Sequence, residues 1–482
     1  MSIQFDELDT TIRVPTVAVE TDLTSGRQSV PTLEKKALLL GVGLGTGSAV
    51  VGDLDQVTSS AHGRALYGEG SMLSLMVNAF LKVSPNTPLW AMPFTESAGV
   101  AATGVITLGA APTAAGVMKW TAGGRSFRVP VSATDTITTV GDAMVAEMDN
   151  AIDLPWTSVN AVGVVTMTAR LKGIEANSLR YRSSTTAAGL TTTDTGAIFA
   201  GGTLAGDPAV ELATIEGRRF HIVVLGTDDA TAIASTQAHV ELLSTALNQK
   251  WGIGIAPSVT TRTAAAALVT TADTYRMQVV WQINAEKPMW EIAAAFGAER
   301  ARVTTRNRTL DYHELAGLSA TFDQTTWPTR SEYEAALAAG VTPLRSLENG
   351  RVEVVRSVLA RVTSPAFIDH NPLEISDFID EDLIAIYRAR YKDAALKVSS
   401  PANTPNVLTQ ARALAVLHER MLIWDRTLDY TQGAALDIAN ERTEATPNAA
   451  DTGRLDIGYP FRPVFGAHVI AVLKTFQTPD LI

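Results

Sequence analysis

The β/α alternation of this chain stops near Glu96 and starts again at Pro208, and that interruption constrains the fold more than any single motif. Before it stand an apolar strand over 37–42, a helix "SMLSLMVNAFLKV" capped by Ser71, and a short strand "PLWAMP". Met72, Met76, Ala79, Phe80 and Val83 share one face of that helix. After the interruption comes "FHIVVLG", a continuous apolar run of the kind that buried parallel strands carry. Thr227 or Asp228 then caps a helix reaching about Gln249, and "YRMQVVWQI" is a further strand. Pro288 opens a helix through Arg300, and Ser331 caps "EYEAALAAG", which ends at Gly340. Between the two blocks the text is Ala, Gly, Thr and Val with few charges. "GVITLG", "SFRVPVSA" and "GVVTMTAR" read as strands, 137–152 as a helix, and "TTAAGLTTTDTGAIFAGGTLAGD" as surface loop. The reading is a discontinuous β/α core, 31–95 with 207–344, interrupted by a β-rich insertion domain, 96–206.

Both ends look different from the core. Residues 1–30 form an arm in which Ile12, Val14, Val17 and Val19 alternate around Pro15, an edge or extended segment. From Arg345 a mixed α+β domain runs to 465. "RVEVVRSVLARVT" alternates well enough for one long strand, and helices follow over 376–392 and 404–426. The second has Thr404-Pro405 at its start and Val407, Ala411, Leu414, Leu417, Met421 and Trp424 on one side. The tail 466–482 contains "HVIAVLKTF", where Val469, Ile470 and Val472 give a strand with apolar faces. The fold class is therefore α/β and α+β, multidomain, with terminal arms. A strand added by an arm gains roughly 0.5–1.5 kcal/mol per hydrogen bond. Ordering its residues costs roughly 1–2 kcal/mol each. Such an arm holds only with its apolar side chains seated and many neighbours contributing, which suits a head-to-tail polymer. Intramolecular edge strands are the alternative.

Chemistry is scarce. "LLLGVGLGTGSA" places Gly41 and Gly43 at dinucleotide spacing, but Thr46 stands where the third glycine belongs, and no lysine follows Gly47. It reads as a buried strand running into a flexible loop. There is no cysteine, hence no disulfide, thiolate nucleophile or cysteine zinc site, which suits a reducing compartment. The net charge of −11 argues against nucleic acid as a partner. The run from Ser97 to Met118 is uncharged for 22 residues but holds four glycines and Pro112, a poor membrane span. Asp6, Glu7 and Asp9 break any signal-peptide pattern. His62, His221, His239, His313, His370, His418 and His468 are scattered without zinc spacing. Asp194-Thr195-Gly196 and Asp451-Thr452-Gly453 echo an aspartic-protease pair, but their flanks are polar, so they read as turns. No G-x-S-x-G elbow occurs. No catalytic residue, metal or cofactor is expected.

Five segments together resemble the Mu-like bacteriophage contractile tail sheath family. They are "LEKKALLLGVGLGTGSA" with "YGEGSMLSLMVNAFLKVSPNTPLWAMPF", "VVTMTARLKGIEAN", "EYEAALAAGVTPLRSLENGRVEVVRSV", "TPNVLTQARALAVLHERMLI" and "RLDIGYPFRPV". The family's proline-arginine segment after the 288–300 helix is replaced by "ERARVTTRNRTLDYHELAGLSA". The resemblance implies a subtilisin-like core without a working triad, an outward-facing insertion domain and a tube-facing C-terminal domain. It implies arms that add strands to small sheets of neighbouring subunits, through Ile12, Val14, Val17, Val19, Val469, Ile470 and Val472. Arg412, Arg420 and Arg426 are candidate tube contacts; as plain amphipathicity they are a solvated helix face. The implied function is a non-enzymatic sheath subunit of a virion tail, assembled in the host cytoplasm. Its partners would be copies of itself, an inner tube protein, and baseplate and terminator proteins, with no nucleic acid and no membrane insertion. The sheath of a bacterial contractile injection system shares this physics. A hydrolase on the same core and a capsid-like β-protein are the other readings.

Overall fold

In the computed structural model, which describes residues 35–194, 198–362, 368–397 and 406–468, the core is one eight-stranded sheet. Its order is Val352–Val354, Val341–Ser346, Met277–Trp281, Ile253–Ser258, Ile222–Leu225, Ala37–Gly41, Leu89–Pro93, Asp55–Val57. The inner pairs are parallel and only the two outermost strands run antiparallel. Leu38, Leu39, Leu40, Val224, Leu225, Val279 and Val280 are fully buried. Helices cover both faces, so these strands are apolar on both sides. Met72–Val83 and Met289–Arg302 pack on each other and on the sheet. Ala230–Leu243 and Arg262–Ala272 lie on the opposite face, as right-handed crossovers require.

The chain leaves this sheet at Pro93 and re-enters it at Ile222, beside Ala37–Gly41 with Leu39 opposite Val224. The inserted part has a three-stranded sheet, Arg125–Val131, Gly116–Ala122 and Tyr181–Thr185. A four-stranded sheet joins Thr192–Thr193, Ala101–Leu108, Val164–Lys172 and Trp156–Ala161, and the helix Ile137–Asp149 packs on the strands. Part of the stretch read as surface loop belongs to the core of the insert. Phe199 is fully buried, with its ring 6.0 Å from Trp156 and 5.7 Å from Tyr181.

The C-terminal part holds helices His370–Tyr391, Gln410–Arg426 and Ala434–Ala439, and a hairpin of Glu444–Pro447 and Leu455–Gly458. Asp382 joins the two long helices. It accepts a fork from Arg420 and the indole N–H of Trp424 at 2.8 Å, all buried.

Several boundaries differ from expectation, each for a local reason. The long strand from 351 onward ends at Val354. Beyond it, side chains replace the ladder: Gln278 and Thr342 donate to the Val358 carbonyl at 3.0 and 2.8 Å, and Val358 N–H donates back to Thr342. The core therefore continues past 344; Ala360 N–H still bonds Met277. The helix expected over 404–426 begins at Gln410, capped by Thr409, because Asn406 is left-handed at φ 53° and Val407–Leu408 pair with Ala395–Leu396. The helix expected from 376 starts at His370, with Pro372 tolerated in its first turn. Asp229 is the cap before Ala230–Leu243, and Thr329 with Glu332 forms a capping box before Arg330–Ala338, displacing Ser331. The loop after Gly41 is tied down. Leu44, Ser48 and Ala49 donate to Tyr67, Ala65 and Leu66, and a Cβ on Gly47 would lie 2.2 Å from the Leu66 carbonyl oxygen.

Candidate functional site: the seam between core and long helix

Helix His370–Tyr391 presents Glu374, Asp377 and Glu381 at i, i+3 and i+7, which puts three carboxylates on one face. Cations from separate core elements meet them. Lys35, just before the first strand, lies 3.1 Å from Glu374 and donates to the carbonyls of Arg300 and Val303 at 3.1 and 2.8 Å. Arg300, from the buried helix Met289–Arg302, reaches Glu374 at 3.0 Å. Arg276 forks onto Asp377 at 2.6 and 2.8 Å, and Arg219 pairs with Glu381. Arg306 stacks on Phe378, 4.6 Å from its ring centroid.

Burial by itself would raise the Glu374 carboxyl, but Lys35 and Arg300 overcome that and hold it at about 2. Lys35 goes down, chiefly through burial, with Arg300 adding to the effect. Burial, reinforced by Arg219 for His221 and by Arg300 for His370, drives both imidazoles down to about 3. Both histidines are neutral at pH 7. His221 accepts the Lys36 N–H at 3.0 Å, a packing role. Such a seam is poor glue compared with apolar packing, but removing one member strands the others in low dielectric. It therefore fixes the geometry between core and C-terminal part.

The site where an open α/β sheet would bind a ligand lies past the carboxyl ends of Ala37–Gly41 and Ile222–Leu225, where strand order reverses. It is filled. A Cβ on Gly226 would meet the Met72 and Met76 sulfurs at 2.7 and 3.0 Å. The insert adds Glu175, whose carboxylate accepts the Gly206 N–H and whose pKa burial pushes up to about 7. Asp228 beside it is pushed up by burial to about 6. Asp194 is buried in the insert and Asp451 sits in an exposed turn of the C-terminal hairpin, so the two DTG triplets do not form one site. Among the described residues there is no metal-binding group of three or more His, Asp or Glu, and no helix long and apolar enough to cross a membrane.

Ile12, Val14, Val17, Val19, Val469, Ile470 and Val472 lie outside the described residues. Of the three arginines, Arg420 is a correction: it is 2% exposed and spent on Asp382, so it reaches no partner surface. Arg412 is half-buried and donates to the Val407 carbonyl at 2.6 Å, and Arg426 is exposed at the helix end. The sequence reading missed the hairpin Glu444–Pro447/Leu455–Gly458. Among the described residues neither outer edge has a backbone partner, and Leu455 and Ile457 are half-exposed. Two strands alone are marginal. Here they rest on the helix Gln410–Arg426.

No family model matches the chain. It is similar to the Mu-like prophage FluMu tail sheath protein of Haemophilus influenzae, 32% identical over 183 residues, which is 38% of this chain and 38% of that protein. The chain thus matches well under half the length of that curated relative. Among solved structures it is similar to a sheath tail protein from Desulfitobacterium hafniense, with TM-score 0.51 and 13% identity over 93% of this chain and 97% of that one. A sheath tail protein from Listeria innocua gives TM-score 0.48 and 14% identity over 89% and 92%. The Desulfitobacterium likeness is one of fold: a mixed α/β multidomain protein alike over nearly the whole length.

Proposed function

We propose that this chain is the structural subunit of a contractile tail sheath, polymerising helically around an inner tube and contracting to drive it through a target cell envelope. The observation that carries this reading is the 183-residue likeness, at 32% identity, to a tail sheath protein. The fold shared with a solved sheath tail protein supports it. On this reading the core is a subtilisin-like scaffold without a triad, the insert faces outward and the C-terminal part faces the tube. The partners are copies of the chain, an inner tube protein, and baseplate and terminator proteins. The location is a virion tail assembled in the host cytoplasm.

The physics of assembly follows from the edges. The hairpin Glu444–Pro447/Leu455–Gly458 has an unpaired edge on each side among the described residues, and each arm carries one β-branched run. Arms of neighbouring subunits, with Val17 or Val472 seated among apolar side chains, would complete that sheet by strand addition. Contraction would rotate rigid bodies while the exchanged arms act as hinges, with more burial in the short form. Nothing in this scheme consumes a nucleotide or uses a cofactor.

Negative-stain microscopy of the purified full chain tests the reading. Hollow tubes or stacked rings of uniform width are expected. Closed shells, or a monomer at every concentration and salt, would refute it. A casein or serine-probe assay is expected to stay silent.

A further inference from the structure

The stretch from Tyr459 to His468 crosses from the C-terminal part to the core without regular structure. Its first half is stitched to the C-terminal part: Gln432 N–H donates to the Arg462 carbonyl at 3.0 Å, and Val464 N–H to the Tyr430 carbonyl at 2.9 Å. Its second half lies on the core. Gly466 sits so close to Thr309 that a Cβ there would come within 2.0 Å of Thr309 Cγ2. His468 closes the strap, with Nδ1 2.5 Å from an Asp311 oxygen and Nε2 3.1 Å from an Asp369 oxygen. The ring is 15% exposed.

A neutral imidazole has one N–H and one lone pair. With a carboxylate oxygen against each nitrogen, only the doubly protonated ring donates to both; the neutral ring turns a lone pair on one carboxylate. We propose that His468 is a protonation-dependent latch holding the root of the C-terminal arm to its own subunit, closed when the ring is charged and open when it is neutral. The groups facing it are Asp311, from the loop after Met289–Arg302, and Asp369, the residue before His370–Tyr391. Arg356 stands behind Asp369 at 2.8 and 2.9 Å and, against the upward push of burial, holds that carboxyl below its usual range; Glu334 acts on Arg356. While closed, the latch sets where the arm departs: residues up to 468 stay with their subunit, and exchange would begin after it. Its purpose rests on the arm-exchange reading; its existence does not.

The chain has no cysteine, so Ile470→Cys gives a unique spin-label position. Spectra of the unassembled full chain are recorded from about pH 5.5 to about pH 8.5. An immobilised spectral component at low pH, lost as pH rises, is expected. His468→Lys, a fixed cation, keeps that component throughout; His468→Gln lacks it throughout. A wild-type spectrum that does not change with pH, or a His468→Gln variant that titrates like wild type, overturns the latch; if His468→Gln does not fold, the wild-type titration decides. Tube formation is scored on the same samples. A flat spectrum with normal tubes ends the latch and leaves the sheath reading intact. A titrating spectrum without tubes at any pH does the reverse.

Discussion

Where helix His370–Tyr391 lies on the core, Glu374, Asp377 and Glu381 meet Lys35, Arg219, Arg276 and Arg300, around a cavity of only 40 Å³. Where the insert lies on the core, cavities of 650 and 590 Å³ flank the place where Arg182 stacks on Phe322, 3.5 Å from its centroid. Arg182 also pairs with Glu286 at 3.0 Å, and Arg64 with Asp153 at 2.9 Å, with both arginines about one-third exposed. One junction is closed and built from interlocked buried charge. The other combines partly solvated pairs with close backbone packing, where a Cβ on Gly70 would lie 2.1 Å from the Leu154 carbonyl oxygen. Core and C-terminal part are thus joined by interlocked buried charge, while the ion pairs between core and insert are partly solvated.

The largest break in this comparison should come from Glu374→Ala, which leaves Lys35 and Arg300 buried without their carboxylate. Urea unfolding should show a loss of about 3–5 kcal/mol; a loss below about 1 kcal/mol would mean the seam is solvated and not a rigid joint. The next effect is a dependence on pH at the insert. Glu175 has its folded pKa raised, chiefly by burial, from 4.5 to about 7. The folded state therefore favours the protonated form, so its contribution is full below about pH 4.5 and is lost as pH rises through about 7. Stability should fall by roughly 1–3 kcal/mol across that window, and Glu175→Gln should flatten the curve. An unchanged slope in the variant would remove Glu175 as the cause. Arg182→Ala, at the junction of insert and core, should cost no more than about 1 kcal/mol. If it cost as much as Glu374→Ala, the two junctions would not differ. Smallest of all, Arg426→Ala should leave unfolding within about 0.5 kcal/mol of wild type. Any defect it shows should appear only when tubes form around their inner partner.

How much of this was legible in the sequence depends on what each feature is made of. The strands "ALLLG" and "IVVL" were legible because they are buried on both faces and so read as unbroken apolar runs. Strand Ile253–Ser258 was not, because Gly254 and Pro257 mimic a loop, although Pro257 sits in register opposite Val280. Helix starts were misplaced by one or two residues where several Ser, Thr and Asp stand together, since any of them can cap, and by six before Gln410–Arg426, where Val407–Leu408 pair as a strand instead. The seam was half-legible. Its carboxylates fall at helical spacing in one segment, but its cations come from positions 35, 219, 276 and 300, which no local pattern links. Arg420 shows the same limit from the other side: an arginine on a helix reads as solvated until its buried carboxylate, Asp382, is located.

The central claim is that the polymer is held by exchanged ends and not by the bodies alone. Purifying residues 31–468, which keeps the stretch lying on the core and removes both arms, beside the full chain under tube-forming conditions tests this. The trimmed chain is expected to fold with near-native stability, to stay dispersed in micrographs and to fail to extend tubes seeded by the full chain. Hollow tubes of normal width from the trimmed chain would contradict it.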